Sequence, residues 1–290
     1  MTQATVPLRA LETLWIQITG TICNIKCQHC FISCSPTNDH LSMMTREEIS
    51  QHVSDARELG TTEYYMTGGE PFLHEDIEAI VEDILCAGPL TILTNATLID
   101  CDRAERLLDI QRRQSHDLTF RVSLDGPDAL RNDAIRGKGV FARTSAGVGL
   151  LAERGFHPIM TMMRSWDESE DESVQATLRE HLAAVGYPEA RIKLLPILRL
   201  GAETTRSRGY SSAESVTASC IANHDLETLL CHTARIVSAD GVHVCPILVG
   251  EKGSIVGNRL TRLPGAFRLN HSACFTCVVS GTICNNESSR

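Results

Sequence analysis

A chain of 290 residues, 42% hydrophobic and with a formal charge of −9, is long enough to bury one large core or a core with an appendage. It is too acidic to favour nucleic-acid phosphates as partners. No apolar run approaches the roughly 18 residues that a membrane span needs, and the N-terminal stretch MTQATVPLRALETLW lacks the basic-then-apolar order of a signal peptide, so the expected location is the cytoplasm. In such a chain twelve cysteines point to metal ligation under reducing conditions rather than to disulfides.

Leu14, Ile16 and Ile18 alternate with period two and predict a first strand. Just beyond it, Cys23, Cys27 and Cys30 form a C-x3-C-x2-C cluster, three soft ligands within eight residues. Three thiolates leave a four-iron four-sulfur cluster one protein ligand short, so one iron is open to bind something else. A structural zinc site competes, but its usual pattern is two separated knuckles supplying four ligands. Thr45-Arg46-Glu47-Glu48 then reads as a capping box opening a helix that runs to about Leu59, with Gly60 to end it.

Further strands are predicted at 63–66, 90–94, 119–124, 157–163 and 192–196, with helices between them at 75–85, 102–112, 141–154 and 172–185. Six such units imply a parallel sheet with helical cover, and periodicity does not tell an open sheet from a curved one. Gly68 and Gly69, after the second strand, allow close backbone approach to a ligand, and Glu70 sets a carboxylate beside it. A phosphate-cradling loop would need a lysine and a hydroxyl that are missing here; a plain tight turn is the other reading. Ser123 and Asp125 stand two residues apart at the end of the fourth strand, on one face, both able to hydrogen-bond hydroxyls. Asp125-Gly126-Pro127 is equally a turn followed by a helix cap. The acidic stretch 167–172 reads as a solvated loop and helix start.

After about Leu200 the composition changes. Residues 201–219 are rich in Ser, Thr, Arg and Gly and read as a linker or surface loop, with Arg206 and Arg208 as alternative entrants to a substrate site. Cys231, Cys245, Cys274, Cys277 and Cys284 follow, with a hairpin predicted at 235–244 turning at Asp240-Gly241. Four of these five thiols suffice for one four-iron four-sulfur cluster, while a set ending in C-x2-C also suits a structural zinc. Cys34, Cys86, Cys101 and Cys220 are expected as buried thiols.

The cysteine triad, Thr67-Gly68-Gly69-Glu70-Pro71 and Val122-Ser123-Leu124-Asp125-Gly126, in that order and separation, resemble the radical S-adenosylmethionine (radical SAM) enzymes over about the first two thirds of the chain. The resemblance implies an α/β fold, a partial (β/α)6 TIM-like barrel with its active site at the C-terminal strand ends, over residues 1–200. It implies a [4Fe-4S] cluster on Cys23, Cys27 and Cys30, with S-adenosyl-L-methionine on the open iron. The cofactor's amino group would meet Gly68, Gly69 and Glu70, its ribose Ser123 and Asp125, with Asn95 and Arg136 as further contacts. Arg136 would take the methionine carboxylate, unless it is a surface residue in a helix-end loop. His29 stands where the family usually carries an aromatic residue near the adenine; a packed or stacked ring is expected there rather than an iron ligand.

The order of the C-terminal cysteines resembles the twitch domain, a shortened relative of the SPASM domain, over residues 201–290. It implies an auxiliary [4Fe-4S] cluster held by Cys231, Cys245, Cys274 and Cys277, with Cys284 spare. The activity implied is reductive cleavage of S-adenosylmethionine to methionine and a 5′-deoxyadenosyl radical, which takes a hydrogen atom from the substrate. Electron loss to an auxiliary cluster would then give oxidation; hydrogen return from a thiol, with Cys284 or Cys245 as candidate donor, would give epimerisation. A small sugar, aminocyclitol or aminoglycoside is the expected substrate, because only about a dozen residues precede the first strand and leave no room for a leader-peptide recognition domain. A ribosomally made peptide is the alternative. A flavodoxin or ferredoxin would be the reductant, and a zinc-stabilised binding protein or an electron-transfer protein are the non-enzymatic readings.

Overall fold

A computed structural model describes residues 4–281 and 283–286 of the chain. Its elements are β1 (Thr5–Pro7), β2 (Thr13–Gln17), α1 (Arg46–Glu58), β3 (Glu63–Thr67), α2 (Ile77–Leu85), β4 (Leu90–Thr94), α3 (Cys101–Arg113), β5 (Leu118–Ser123), α4 (Ala129–Arg136), α5 (Val140–Glu153), β6 (Ile159–Met163), α6 (Asp171–Ala184) and β7 (Arg191–Leu195). The C-terminal part adds α7 (Ala218–Ile221), β8 (Ala234–Ser238), β9 (Gly241–His243), β10 (Ile255–Gly257), β11 (Ala266–Arg268) and α8 (Ala273–Ser280).

Strands β2 to β7 lie side by side, all parallel, in the order of the chain. This is the α/β sheet with helical cover that the alternation predicts, arranged as a partial barrel. Alternate strand residues divide the barrel between two environments. Leu14, Ile16, Tyr64, Met66, Ile92, Phe120 and Val122 join the core that includes Ile49, Ile80, Leu107 and Val148 of the helices. Residues of the opposite parity, Trp15 and Tyr65 among them, form a separate cluster with their rings stacked 4.3 Å apart. The predicted helices and strands of this part agree with the observed ones to within about two residues at each end. The Thr45 capping box is formed: its hydroxyl accepts from the Glu48 N–H, and the Glu48 carboxylate accepts from the Thr45 N–H. Helix α4 was not among the predicted elements; Asp128 caps it by accepting from the Arg131 N–H.

The C-terminal part is woven into the same sheet. The predicted hairpin is present as β8 and β9, and β8 pairs in parallel with β2, Thr13 opposite Ala234, so the sheet runs β10-β9-β8-β2 before continuing through the barrel. The N-terminal strand β1 in turn pairs with β11, Val6 opposite Phe267. Residue 200 is therefore a change of composition rather than a break in hydrogen bonding. Among the described residues no helix is long and apolar enough to cross a membrane.

Candidate active site

The loop after β2 carries the cysteine triad, and glycines fix its course. A methyl group on Gly20 would come within 2.0 Å of the Leu41 carbonyl oxygen, and one on Gly69 within 1.9 Å of that of Ile22. The chain entering Cys23 therefore lies directly on the Gly68-Gly69 backbone at the end of β3, and the Glu70 N–H donates to the Ile22 carbonyl at 3.1 Å. The far end of the loop folds back, with the Cys23 N–H on the Ser35 carbonyl and the Ser35 N–H on that of Thr21. Cys23, Cys27 and Cys30 thereby face one cavity of about 200 Å³, which Gly68, Gly69, Asn95, Ser123, Asp125 and Arg136 also line. Nine of the ten N-terminal residues predicted for cluster and cofactor thus meet at the C-terminal ends of the strands.

The tenth does not. Glu70 is wholly buried behind the lining residues Thr94 and Asn95: its carboxylate accepts from the Thr94 hydroxyl at 2.7 Å, the Asn95 N–H at 2.8 Å and the Phe72 N–H at 3.2 Å. Its burial raises its pKa, against those hydrogen bonds. Glu70 thereby ties the end of β3 to that of β4. Asn95 extends the tie, donating through Nδ2 to Asn24 Oδ1 at 2.9 Å, next to Cys23.

Asp125 is also fully committed. Its Oδ2 lies 2.5 Å from both His29 Nε2 and Arg136 Nε, and its Oδ1 accepts from the Met163 N–H at 2.8 Å. Burial opposes its ionisation, but Arg136 and His29 outweigh burial and hold the carboxyl well below the usual carboxylate range. Arg136 is buried at the last residue of α4, with Nη1 3.9 Å from Cys27 Sγ; the surface-loop reading does not apply to it. His29 is packed through Asp125, and its Nδ1 has no partner among the described residues. Burial pushes the Cys23 thiol up to about 12 and that of Cys27 up to about 11, the latter against Arg136. Cys30 moves down, chiefly through its hydrogen bonding with Cys34. Loading iron on these thiols must release protons.

Arg121, Thr161 and Met163 also line this cavity, and the sequence reading did not single them out. The available signal was parity: Arg121 lies two residues before Ser123 on β5 and so shares its face. Cys34 is buried beside the triad, whereas Cys86, Cys101 and Cys220, expected as buried thiols, are exposed at helix ends or in the short α7. Residues Gly201–Thr205 form a 3-10 turn seated on the cysteine loop, with the Ala202 N–H on the Cys30 carbonyl at 2.9 Å. Arg206 pairs with Glu203 and Arg208 with Glu214, and neither lines the cavity.

A second cavity, also of about 200 Å³, is lined by all five C-terminal cysteines. Cys231 precedes β8, Cys245 follows β9, Cys274 and Cys277 are one turn apart on α8, and Cys284 follows that helix. Burial pushes the Cys231 and Cys284 thiols up to about 12 and Cys245 up to about 11. Neither Cys284 nor Cys245 lines the first cavity. Residues 284–286 are held by the barrel strands: Arg121 Nη1 donates to the Cys284 carbonyl at 2.6 Å, Lys193 Nζ to Asn285 Oδ1 at 2.9 Å, and Asn286 Nδ2 to Thr91 Oγ1 at 2.8 Å.

Comparison with known proteins agrees with this geometry. The family model of the radical SAM superfamily matches residues 18–180, which hold the triad, Gly68-Gly69-Glu70, Asp125 and Arg136. The chain is 31% identical over 191 residues to the GTP 3′,8-cyclase of Microcystis aeruginosa, covering 60% of this chain and 54% of that protein. It is 29% identical over 169 residues to the AdoMet-dependent heme synthase of Methanosarcina barkeri, covering 57% and 46%. The chain spans about half the length of these relatives. Among solved structures, Streptococcus suis SuiB bound to precursor peptide SuiA has a TM-score of 0.63 at 14% identity, over 88% of this chain and 63% of that one. Native anSMEcpe with bound AdoMet and Cp18Cys peptide has a TM-score of 0.57 at 15% identity, over 85% and 77%; both likenesses are of fold. With residues 18–180 of 290 matched and the three motifs gathered around one cavity, the chain belongs to the radical SAM superfamily and carries that superfamily's [4Fe-4S] cluster and S-adenosylmethionine.

Proposed function

We propose that this radical SAM enzyme carries out a net oxidation of its substrate, with an auxiliary iron–sulfur cluster in the C-terminal cavity. The observation that carries the reading is the gathering of five cysteines around one cavity separate from the triad. Among the described residues no three His, Cys, Asp or Glu side chains stand close enough to clasp a single ion. A donor set spread around a cavity fits a cluster-sized body better than zinc, whose ligands close at about 2.0–2.3 Å. Bound there, a cluster would supply an electron acceptor.

The residues of the first cavity have roles that follow from their contacts. Cys23, Cys27 and Cys30 hold the catalytic cluster. Gly68 and Gly69, free of side chains, let the methionyl part of the cofactor lie against backbone, and Ser123 offers a hydroxyl to its ribose. Asp125 orients Arg136 and His29 through its two short contacts, and Arg136, which lines the cavity, would take the cofactor's carboxylate. Glu70 and Asn95 brace the loop that these groups share. Because Cys245 and Cys284 line only the second cavity, ligation suits them better than hydrogen return, and oxidation is favoured over epimerisation.

For the substrate, a peptide has the support of the two solved structures of like fold, each of which holds a bound peptide. The sugar, aminocyclitol or aminoglycoside reading rested on where the chain begins, and no cavity residue supports it. Anaerobically reconstituted protein, given reductant and S-adenosylmethionine in deuterated water, should convert a member of a peptide panel to a product two hydrogens lighter and without solvent label. A product of unchanged mass except for one deuterium at an inverted carbon would overturn the oxidative reading. Turnover confined to sugars, aminocyclitols or aminoglycosides would overturn the peptide reading alone.

A further inference from the structure

Strand β8 reads Ala234-Arg235-Ile236-Val237-Ser238, and all five residues are buried. Arg235 is the largest fully buried side chain among the described residues and has no exposed surface. Its Nη1 donates to the carbonyls of Cys231 at 2.7 Å and Ala234 at 2.6 Å, while Nε and Nη2 have no hydrogen-bond partner among the described residues. No Asp or Glu among the described residues comes within ion-pair distance of it. Strand β5 supplies a second such group. Arg121 is 3% exposed, donates to the Cys284 carbonyl at 2.6 Å, and likewise has no carboxylate partner among the described residues. Glu63 lines the C-terminal cavity, but it is engaged by the Tyr65 hydroxyl at 2.9 Å rather than by either arginine.

A guanidinium cannot lose its proton in a protein, so a buried one needs negative charge close by. Among the described residues no carboxylate supplies it, and the hydrogen bonds of both guanidiniums to backbone go to uncharged carbonyls. The positive charge nevertheless lies beside the C-terminal cysteines: Arg235 holds the Cys231 carbonyl, and Arg121, which lines the first cavity, reaches across to the Cys284 carbonyl. Thiolates bound to iron would leave the site net negative and so complete both arginines.

We propose that Arg235 and Arg121 are built-in counter-charges of the C-terminal iron–sulfur site, holding the cluster in place and raising its reduction potential so that it takes up an electron more readily. The inference rests on the auxiliary-cluster reading. A neighbouring cation favours the more negative, reduced form. Removing one should therefore lower the potential, by about tenfold in the oxidised-to-reduced ratio at fixed potential, or about 59 mV for a one-electron couple.

The test uses full-length protein with Cys23, Cys27 and Cys30 all replaced by Ala, so that only the C-terminal cluster can form, in three versions: Arg235 retained, Arg235→Met and Arg235→Lys. Each is reconstituted without oxygen, assayed for iron and sulfide, and titrated for its midpoint potential by paramagnetic resonance. The expected results are iron in the Arg235 protein, a potential lowered by about tenfold in that ratio in Arg235→Met, and recovery in Arg235→Lys. Cluster-free Arg235→Met should melt no lower than its parent, because an uncompensated charge has been removed. No iron in the Arg235 protein overturns the auxiliary-cluster reading and this inference with it. Iron present with an unchanged potential in Arg235→Met overturns this inference alone. If Arg235→Met holds no iron, recovery by Arg235→Lys supports the inference; absence of recovery, with a lower melting temperature in the cluster-free protein, shows a structural role and overturns it.

Discussion

The first cavity takes its three thiols from one loop of eight residues, whereas the second draws five from segments that begin at residue 231 and end at 284. In the first, spacing alone brings the sulfurs near one another, and the remaining work is done by Gly20, Gly68 and Gly69, which let two loops touch. In the second, the sulfurs meet only because β8 joins the barrel sheet beside β2 and because residues 284–286 are held by β4, β5 and β7. The charge around them differs as well. Arg136 near Cys27 is matched by Asp125, while Arg235 and Arg121 near the second set have no such match among the described residues. A locally encoded site carries its own counter-ion, and an assembled one is left for its contents to complete.

The sharpest separation of the two sites comes from paired ligand changes. Cys27→Ala should lose about half the iron, and its release of 5′-deoxyadenosine without substrate should fall beyond the ~10–100-fold typical of outer-shell changes. Cys277→Ala should lose a similar share of iron yet retain that release, losing product formation instead. Equal loss of 5′-deoxyadenosine in both would join the two sites into one function.

Next in size is the charge match itself. Asp125→Asn leaves Arg136 buried without its partner and should cost about 3–5 kcal/mol in urea unfolding. Because the folded pKa of Asp125 lies below the unfolded value of about 3.9, this contribution is fully present above pH ~4 and is lost as the pH falls through the folded value. The gap between the two proteins should therefore be constant near neutrality and narrow in acid; a gap that widens in acid would contradict the assignment.

Gly69→Ala forces a methyl group onto the Ile22 carbonyl and should cost about 1–3 kcal/mol, with weaker S-adenosylmethionine binding in equilibrium dialysis. Smallest is Thr45→Ala, which removes the cap of α1 at a residue that lines neither cavity. It should cost about 1 kcal/mol in thermal unfolding and leave 5′-deoxyadenosine release unchanged.

These contrasts also explain what could be read from the residues in order. The barrel strands and most helices are legible because period two and period 3.6 are local, and the triad because three thiols within eight residues need no tertiary partner. Helix α4 escaped because Asp125-Gly126-Pro127 reads as a turn and only nine residues follow before Gly137. Glu70 stood out as a motif residue, but which way its carboxylate turns depends on Thr94 and Asn95 across the next strand. Arg121 and Arg235 sit inside apolar strand patterns, and their meaning appears only when distant cysteines are brought beside them. The three exposed cysteines show the opposite error, since the general tendency of thiols to be buried does not act at helix ends or in a single exposed turn such as α7.

The claim on which all of this depends is that the triad leaves one iron open to S-adenosylmethionine. The direct measurement is the paramagnetic resonance spectrum of the reduced, oxygen-free protein before and after the cofactor is added. A changed cluster signal that is absent from Cys27→Ala is the predicted result; a spectrum that the cofactor leaves unaltered would contradict it.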